Sequence, residues 1–438
     1  MKRIACIAAL CLTSASLVRA ITLDAALART LESNPEIRVA KLRVEEAAGR
    51  RLILRATGLP DVRANVPVGV QGGKRAGEKS VSPFAFGQGA FTQPVFNFGL
   101  PATFRRADIE LLIAEQRLNA VVLEQLHTAR LAYYSAAYND ALRSLGESQR
   151  QRLSANAQTQ SERYQVGQAD RAALTSARVL EEQTTPRVEE SRHTSSRARL
   201  TLATAMGDDV RKDLPEANEP LSFAPVAVDV DGETREALER RTDLKLARLL
   251  VRAAREDERI AQAGYFPEIV ATVSGTYIPV SDIHRGSEGS PRRSDDIVSS
   301  EARAGLAYSW RVIDNGRVTG VVIRQRALRE ANEAVLAKLE ADVPRELLRI
   351  QNNLHALASR HEALSRAGGV AEQTVRDIEG NIAQGLSSQL EYRNAENSFL
   401  ETRAGLLAVA YEQNVALAER DRITGRYFQF SDSPGKVH

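Results

Sequence analysis

The sequence predicts a mainly α-helical protein with a smaller β part, built by an internal duplication of the chain. Three observations support this fold class. Similar blocks of residues recur in the same order in both halves, alternating polar and apolar segments lie in each half, and long helical stretches follow them. Only 5% of the 438 residues are aromatic, which is few for several ordinary globular cores.

The first twenty residues have the pattern of a secretory signal peptide. The basic pair Lys2-Arg3 precedes an apolar stretch, and Val18-Arg19-Ala20 supplies small residues at a cleavage position. Removal of this segment lowers the formal net charge from +3 to 0. The mature chain then has no excess of positive charge, so its charge gives no reason to expect nucleic acid as a partner. It also removes Cys6 and Cys11, which excludes disulfide and thiolate chemistry in the mature chain. Lipidation of Cys11 is the alternative, although Leu10 stands where that processing favours a small residue.

Two halves of the chain match in three blocks. Residues 56–62 match 263–269 at an offset of 207, residues 93–99 match 310–316 at 217, and residues 164–167 match 382–385 at 218. Blocks in the same order with small drifts indicate a duplication of about 200 residues. The predicted organisation is a signal peptide over 1–20, a first repeat over 21–232, a second over 233–426 and a tail over 427–438.

Each repeat begins with a helical pattern followed by two strands. The helices cover about 23–57 and 233–263, and Asn34-Pro35 predicts a break in the first. Alternating polar and apolar residues predict strands over about 62–70, 84–96, 269–279 and 302–313. The polar, glycine-rich and serine-rich stretches 71–83 and 280–300 predict loops between the strands.

After each strand pair the helical pattern runs far longer than in most globular domains. It covers about 101–164 and 320–382, which corresponds to about 90 to 100 Å of helix. Gly167 and Gly385 then interrupt the pattern, and shorter helices return over about 170–205 and 388–423. Pro186 and Pro344 fall within these helices and are expected to kink or divide them.

Strand pairs with one apolar face, on an exported chain without a mature apolar stretch of about 20 residues, fit a membrane β-barrel. Four strands cannot close a barrel, and open strand edges are not stable in lipid. A dimer would supply eight strands and a trimer twelve. The soluble alternative is that the two pairs pack together as a sandwich.

On these features the chain resembles the TolC-like outer-membrane efflux proteins. The resemblance is carried by the duplicated order, by Pro60 and Pro267 before the strands, by the exits 93–97 and 314–317, and by the two glycine turns. It implies a duplicated protomer of a homotrimer with one twelve-stranded transmembrane β-barrel, continued by a twelve-helix periplasmic α-barrel. Residues 207–232 would form a belt around the middle of that tube.

The resemblance also implies a function. Such proteins are outer-membrane exit ducts of tripartite efflux or type I secretion systems, and they work passively, without a cofactor. Their partners are outer-membrane lipid, a periplasmic adaptor (membrane fusion) protein and an inner-membrane transporter. Cargo choice rests mainly with the transporter, so drugs, metal ions and polypeptides all remain open.

Family positions assign roles to residues at the two glycine turns. Gly167 and Gly385 would mark the tips that contact the adaptor, and Glu391 would line the periplasmic aperture. The equivalent of Glu391 in the first repeat is Ala173, so one acid per protomer is expected there. A ring of three such carboxylates favours cations. The alternatives are plain hairpin turns and a solvated helix charge.

Two further sets of residues are assigned to the β part. Arg303, Ser309 and Arg311 share one strand face and are expected to line the barrel lumen. Tyr277, Tyr308 and Trp310 are expected at the lipid interface as part of an aromatic girdle, or are otherwise ordinary strand residues.

Enzyme signatures are missing from the sequence. Neither a His-Glu-x-x-His motif, a phosphate-binding loop with correct glycine spacing, nor a Gly-x-Ser-x-Gly elbow occurs. We therefore predict no catalytic, metal or cofactor site. The competing function is a periplasmic coiled-coil adaptor or structural protein whose strands form a small soluble domain.

Overall fold

A computed structural model of the chain describes residues 20–75, 78–209, 214–277 and 300–426. The predicted signal peptide up to residue 19, both cysteines, the predicted loop from 280 to 299 and the tail from 427 lie outside the described residues. Among the residues described, no helix is both long enough and apolar enough to cross a bilayer.

Each half of the chain contains helices, strands and a long helical hairpin. In chain order the first half has β1 Ala20–Ile21, α1 Leu23–Ser33, α2 Pro35–Ala56, β2 Asp61–Asn65, β3 Val68–Arg75, β4 Glu78–Ala85, β5 Gly87–Phe96, α3 Leu100–Gln165, α4 Arg171–Met206 and β6 Glu216–Ala217. The second half has α5 Val230–Arg240, α6 Thr242–Gln262, a 3-10 turn Ala263–Tyr265, β7 Glu268–Tyr277, β8 Ser300–Ser309, α7 Arg317–Gln384 and α8 Gln389–Thr424. The predicted long helices are present as α3, with 66 residues, and α7, with 68.

Helix caps repeat at the offsets found in the sequence. Thr22 caps α1 by accepting from the backbone N–H of Ala25, and Asp229, at the offset of the first matched block, caps α5 in the same way. Asp170 and Ser388, related by the offset of the third block, cap α4 and α8. Since equivalent side chains start equivalent helices, the duplication is structural as well as sequential.

The predicted break at Asn34-Pro35 separates α1 from α2. Asn34 is buried, and its Oδ1 accepts from the backbone N–H groups of Glu36 at 2.9 Å and Ile37 at 3.3 Å. Its Nδ2 donates to Gln125 Oε1 at 3.1 Å and to the Ala205 carbonyl at 2.9 Å. A buried amide with this many partners carries little desolvation cost and fixes the start of α2.

A second break, between α5 and α6 at Arg241, was not predicted, and the single helix expected over 233–263 is wrong. The Arg241 guanidinium is buried and pairs with Asp243 at 2.7 Å and with Glu346 at 2.7 Å. These two carboxylates raise the pKa of Arg241 against the opposing effect of burial. The break is thus stabilised by partners that a local sequence pattern does not reveal.

Prolines within the helices do not divide them. Pro186 lies inside the continuous helix α4, and Pro344 lies inside α7. The expectation that these prolines divide their helices is therefore wrong, because helical turns continue on both sides of the missing N–H, while the expected kink stays a prediction.

Within the described residues the chain forms two compact units, each drawing on both repeats. The helical unit comprises residues 20–41, 118–244 and 339–426, and its largest apolar cluster includes Tyr133, Leu202 and Met206. The sheet unit comprises residues 42–117 and 245–338, and Ile109, Ile113, Leu249 and Ala253 form an apolar cluster in its helical part.

The sheet unit contains a four-stranded antiparallel sheet in the order β2-β5-β7-β8. The loop predicted over 71–83 is wrong, because β3 and β4 pair across this stretch outside residues 76–77. Their register continues that of β2 and β5 past Pro67, whose carbonyl accepts from the Phe86 N–H at 3.2 Å. Glycine and serine content indicated a loop, whereas pairing that starts in the adjoining strands extends the hairpin.

Strand β8 is shorter than predicted. It ends at Ser309 rather than near residue 313, because its partner β7 begins at Glu268, directly after Pro267, and Glu268 is the last residue opposite β8. Trp310 and Arg311 therefore follow the strand instead of forming part of it.

Candidate functional site

The four-stranded sheet separates apolar from polar side chains. Residues directly opposite each other in neighbouring strands project to the same face. The register therefore places Val62, Ala64, Phe91, Ile269, Ala271, Val273, Ala302, Ala304 and Leu306 on one side, together with Tyr277, Tyr308 and several glycines. We call this side the apolar face. Gln93 and Ser300 are polar residues on this face, and Gln93 donates to the Gly58 carbonyl at 3.1 Å.

This apolar face is exposed in the single chain. Leu306 is 71% exposed, and Val62 and Val273 are exposed as well. Patches of this kind on a folded protein mark contact with lipid or with another protein. The alternation predicted from the sequence is thus present, and most residues of its apolar side are exposed in the described chain, while Phe91, Ile269 and Ala271 are partly buried.

The opposite side, the polar face, has the threonines and serines of β7 together with charged residues near the starts of β2 and β8. Arg63 pairs with Asp61 at 2.6 Å, and Arg303 pairs with Glu301 at 2.6 Å. The predicted lumen residues Arg303 and Ser309 both lie on this face, whereas Arg311 lies beyond the strand. Sequence reasoning assigned no lumen role to Asp61, Arg63, Glu268 or Glu301, although two acid-arginine pairs at a spacing of two on strands were visible.

Predicted interface aromatics lie toward both ends of the strands. Tyr277 ends β7, while Tyr308 is opposite Ile269 near the other end of that strand. Eight residue steps at about 3.4 Å separate Ile269 from Tyr277, or about 27 Å along the strand. Trp310 follows β8, where its indole N–H donates to the Tyr265 carbonyl at 3.2 Å.

An aromatic cluster that the sequence reasoning missed lies at the Tyr308 end. Phe98 contacts Phe96 with ring centroids 4.9 Å apart and Phe266 with centroids 4.2 Å apart. All three rings are about half exposed. Phe96 and Phe98 lie within the matched block 93–99 and Phe266 within the matched block 263–269, so three phenylalanines in matched blocks beside the strands were the available signal.

Two edges of the sheet are unpaired within the described chain. Strands β2 and β8 are the outer strands, and each has one paired neighbour. A row of free backbone N–H and C=O groups along such an edge is a template for pairing with another strand.

At the helical hairpin turns, both predicted glycines have left-handed backbone conformations. Gly167 has a φ of 76° and Gly385 a φ of 79°. Each follows a long helix, and the residue after each glycine donates back into that helix, from Gln168 to Arg163 and from Leu386 to Asn381. A residue with a Cβ is strained at this φ, so glycine is required by the turn itself. Their predicted role in partner contact stays a prediction.

Glu391 lies in the first turn of α8 and is exposed. Its Oε2 accepts from the Ser388 N–H at 2.9 Å, while its own N–H donates to Ser388 Oγ at 3.2 Å. This reciprocal pair is a capping box, which gives the carboxylate a structural role beside the predicted one.

Sequence reasoning overlooked a second acid in the equivalent turn of the first repeat. Ala173 indeed lacks a carboxylate, but its backbone N–H donates to Asp170 Oδ1 at 2.7 Å. Asp170 is the equivalent of Ser388 rather than of Glu391, so the expectation of one acid per protomer at the aperture position stays a prediction. The available signal was an aspartate directly before a helical pattern, which is typical of an N-cap.

Near the turns, α3 is joined to the second hairpin by charged side chains. Arg163 Nη1 donates to the Ile382 carbonyl. Deeper in the helical unit, Arg152 donates to both carboxylate oxygens of Glu396, at 2.7 and 3.2 Å. Glu396 is only 1% exposed, so this ion pair is largely withdrawn from solvent on the acid's side.

Tyr392 extends the ion pair into a small network. Its hydroxyl lies 3.5 Å from Glu396 Oε1 and 3.4 Å from Glu379 Oε1. Burial, and then the two nearby carboxylates, raise the pKa of Tyr392, so the phenol remains protonated. The hydrogen bond with Glu396 raises the pKa of Arg152, which keeps the pair charged. Nothing in the sequence distinguished these residues from ordinary helix charges.

Two histidines in the described residues, His127 and His361, pack against other side chains, whereas His193 and His355 are exposed. His127 is buried with Nε2 3.5 Å from Glu419 Oε2, and burial lowers its pKa. His361 stacks on Phe223 with ring centroids 3.8 Å apart. Across the part of the chain that the structure describes, no three or more potential ligands gather as a metal site.

Comparison with family models gives one match. The model described as outer membrane efflux protein matches residues 26–208 and 234–426, most of the chain and both repeats. The comparison with curated proteins gave no match.

Solved structures with the same fold are outer-membrane proteins. VceC from Vibrio cholerae aligns with a TM-score of 0.76 at 18% identity, over 92% of this chain and 96% of that one. The CmeC outer membrane channel of Campylobacter jejuni has a TM-score of 0.74 at 13% identity, over 94% and 87% of the two chains. The open state of the MtrE outer membrane channel of Neisseria gonorrhoeae has a TM-score of 0.71 at 21% identity, over 94% and 93%.

These alignments establish the duplicated, mainly helical fold that the sequence predicted, and the family match covers more than half of the chain. The matched family consists of channel proteins of the outer membrane, not of enzymes. This protein is therefore located in the outer membrane and extends into the periplasm, as the resemblance implied. The chain belongs to the outer membrane efflux protein family.

Proposed function

We propose that this chain is the exit duct of a tripartite efflux or type I secretion system, a passive conduit from the periplasm to the exterior. The observation that carries the proposal is the sheet, with an exposed apolar face, a polar face and two unpaired edges. A channel wall that separates lipid from water requires these features together.

Lipid accounts for the exposed apolar face. A strand segment of about 27 Å that is tilted by about 40° spans about 20 Å along the membrane normal. This is close to the height of the apolar band of outer-membrane barrels, which is about 25 Å. Tyr277 and Tyr308 would then lie at the two interfaces, and Trp310 just beyond the second. The ion pairs of Arg63 and Arg303 would face the wet lumen, where charge carries little desolvation cost.

Three copies would close the wall. Each unpaired backbone group in hydrocarbon costs several kcal/mol, so the free edges of β2 and β8 cannot remain open in lipid. Four strands per copy give twelve in a trimer, an even number within the range of known outer-membrane barrels.

Long helical hairpins from three copies would form the periplasmic part of the duct. The turns at Gly167 and Gly385 would be its far end, and the adjoining Val166 and Leu386 are largely exposed. We propose that these turns contact a periplasmic adaptor, which links the duct to an energised inner-membrane transporter. The sequence has no nucleotide-binding motif of its own, so energy must come from that partner.

The far end would also contain the gate. An open state is described for MtrE, and we propose that opening here separates the hairpins that Arg163 and Arg152 connect. A ring of three Glu391 carboxylates would favour cations at this aperture.

Assembly and conductance together test the proposal. The purified full-length protein, kept in detergent and run unheated on a denaturing gel, should migrate as a trimer and convert to monomer on heating. Reconstituted in planar bilayers, it should give discrete conductance steps. A water-soluble, fully folded monomer would contradict the duct and favour the periplasmic adaptor instead.

A further inference from the structure

Both strand hairpins of the sheet have the same register once the sequence offsets are applied. In the first repeat Asp61 of β2 lies opposite Thr92 of β5. In the second repeat Glu268 of β7 lies opposite Ser309 of β8. Glu268 is the equivalent of Asp61 at the offset of the first matched block, and Ser309 is the equivalent of Thr92 at the offset of the second. The offsets found in the sequence therefore map one hairpin onto the other without a shift.

We call the pairing of the two hairpins through β5 and β7 the seam inside the chain. Because the hairpins are equivalent, this seam is a template for a seam between β8 of one copy and β2 of the next. Pairing of β5 with β7 joins the second strand of the first repeat's hairpin to the first strand of the second repeat's hairpin. In a closed ring of identical copies, β8 is the second strand of its hairpin and meets β2, the first strand of a hairpin in the next copy. The two seams join equivalent strands, so they should pair alike.

We propose that β8 pairs antiparallel with β2 and β3 of the neighbouring copy in the register that β5 and β7 use within one chain. This rests on the proposed trimer and goes beyond it by assigning the residue pairs. Thr92 opposite Thr272 maps to Ser309 opposite Asn65 of the neighbouring copy. Phe91 opposite Val273 maps to Tyr308 opposite Val66, and Gly89 opposite Gly275 maps to Leu306 opposite Val68.

Side-chain chemistry agrees with these pairs. Val66 and Val68 are 71% and 70% exposed, and the register sets them beside Tyr308 and Leu306 on the apolar face. A shift of one residue would move both valines to the polar face, which a lipid-facing wall strongly disfavours.

Proline at position 67 does not obstruct the seam. The N–H and C=O of a residue in an antiparallel strand point to the same side. The Pro67 carbonyl accepts from Phe86 within its own hairpin, so the missing N–H faces that hairpin and not the free edge. The groups at Val66 and Val68 face the edge and remain available to the neighbouring copy.

Charged residues at the base of the seam are also compatible. The register sets Arg311 opposite Arg63 of the neighbouring copy, a repulsive pair if isolated. Asp61, which pairs with Arg63 at 2.6 Å on the same face, becomes a diagonal neighbour of Arg311 and offsets that repulsion. This assigns Arg311 to the lumen side of the seam although it lies beyond β8.

Disulfide cross-linking in the full-length protein tests the register. The variant Asn65→Cys/Ser309→Cys should give covalent dimers and trimers on a non-reducing gel after mild oxidation. Opposite residues of a non-hydrogen-bonded pair lie about 4.5 Å apart at Cα, within disulfide range. Within one copy the two positions are three strand spacings apart, about 14 Å across the sheet, and about 27 Å apart along the strands, since Asn65 is level with Glu301, so any link must join two copies.

Matched controls are the pairs shifted by two positions on the same face, Asn65→Cys/Ala307→Cys and Asn65→Cys/Arg311→Cys. Their Cα atoms would be about 7 to 8 Å apart, so cross-linking should fall at least about fivefold. Single-cysteine variants measure the background, including any from Cys6 and Cys11. Stronger cross-linking in either shifted pair would overturn the register while leaving the trimer intact. Parent variants that never migrate as unheated trimers would instead overturn the proposed function.

Discussion

Replacing Arg152 by methionine should loosen the contact between α3 and α8 near the hairpin turns. Arg152 donates to both oxygens of Glu396, a carboxylate that is 1% exposed. Without the guanidinium, the nearest described donor is the Tyr392 hydroxyl at 3.5 Å. A buried charge that loses its partner keeps its desolvation cost and loses the compensating attraction.

The magnitude follows from the exposure of the two partners. Breaking a buried ion pair from one side typically costs about 3 to 5 kcal/mol. The Arg152 side chain is 31% exposed, so water can approach the carboxylate in the variant, and we expect about 2 to 3 kcal/mol. This corresponds to an increase of about 30- to 150-fold in the equilibrium constant for local opening.

Hydrogen exchange measured by mass spectrometry on the detergent-solubilised protein can detect that change in peptides from the first turns of α8. Glu396→Met and the double variant Arg152→Met/Glu396→Met complete a double-mutant cycle. The double variant should lose less stability than the sum of the losses in the two single variants. Arg403→Met is the matched control, because Arg152 and Arg403 each lie over the Phe399 ring, with Cζ 5.3 Å from its centroid. Arg403 pairs with Glu372 at the surface, so its loss should cost below about 1 kcal/mol. Additive free-energy changes in the cycle, or unchanged amide exchange in Arg152→Met, would show that the ion pair does not stabilise this contact.

Four further predictions concern single positions. Glu391→Gln retains a capping box and removes only the charge, so thermal stability should persist while the cation preference in bilayer recordings decreases; an unchanged preference would exclude the aperture role. Asn34→Ala removes the oxygen that accepts from the N–H groups of Glu36 and Ile37 at the start of α2, and it should lower the free energy of unfolding by about 2 kcal/mol. A thermal unfolding midpoint equal to that of the wild type would contradict its capping role. The pKa of His127 is lower in the folded than in the unfolded chain, so on acidification the unfolded state binds a proton first. The free energy of unfolding should therefore decrease as pH falls below about 6.5. The variant His127→Gln should flatten this pH dependence, and an equally steep slope would exclude His127 as its source. Ala304→Arg, on the apolar face, should reduce membrane assembly by about 2 to 4 kcal/mol, whereas Gly305→Arg on the polar face should not; equal effects would contradict the assignment of faces.

Long elements were predictable because their patterns persist over many turns of helix. The periodicity behind α3 and α7 continues along the whole length of each helix, so local exceptions such as Pro344 do not obscure it. The break before Pro35 was predictable for a local reason, since proline lacks the N–H that a continuing helix needs. The two sheet faces followed from strict alternation in β7 and β8.

Features that depend on distant partners were not predictable. The break at Arg241 is stabilised by Glu346, which lies far away in the sequence. Glu396 looks like any other helix glutamate until α3 brings Arg152 to it. The extension of the first hairpin through residues 71–75 and 78–83 was missed because its backbone pairing starts in β2 and β5 and overrides polar composition.

Geometry is retained between the repeats even where chemistry differs. Asn34 and Arg241 occupy equivalent breaks at the offset of the first matched block, yet one is a neutral amide and the other a cation held by two carboxylates. At both breaks a left-handed glycine of the returning helix lies against the backbone: a Cβ on Gly207 would come within 2.6 Å of the Ser33 carbonyl oxygen, and one on Gly425 within 3.1 Å of the Arg240 carbonyl carbon. Equivalent backbones therefore meet in equivalent ways although their side chains have diverged. The same retention of backbone geometry applies to pairing between strands, and it supports the proposed use of the repeat offsets for the register between two copies.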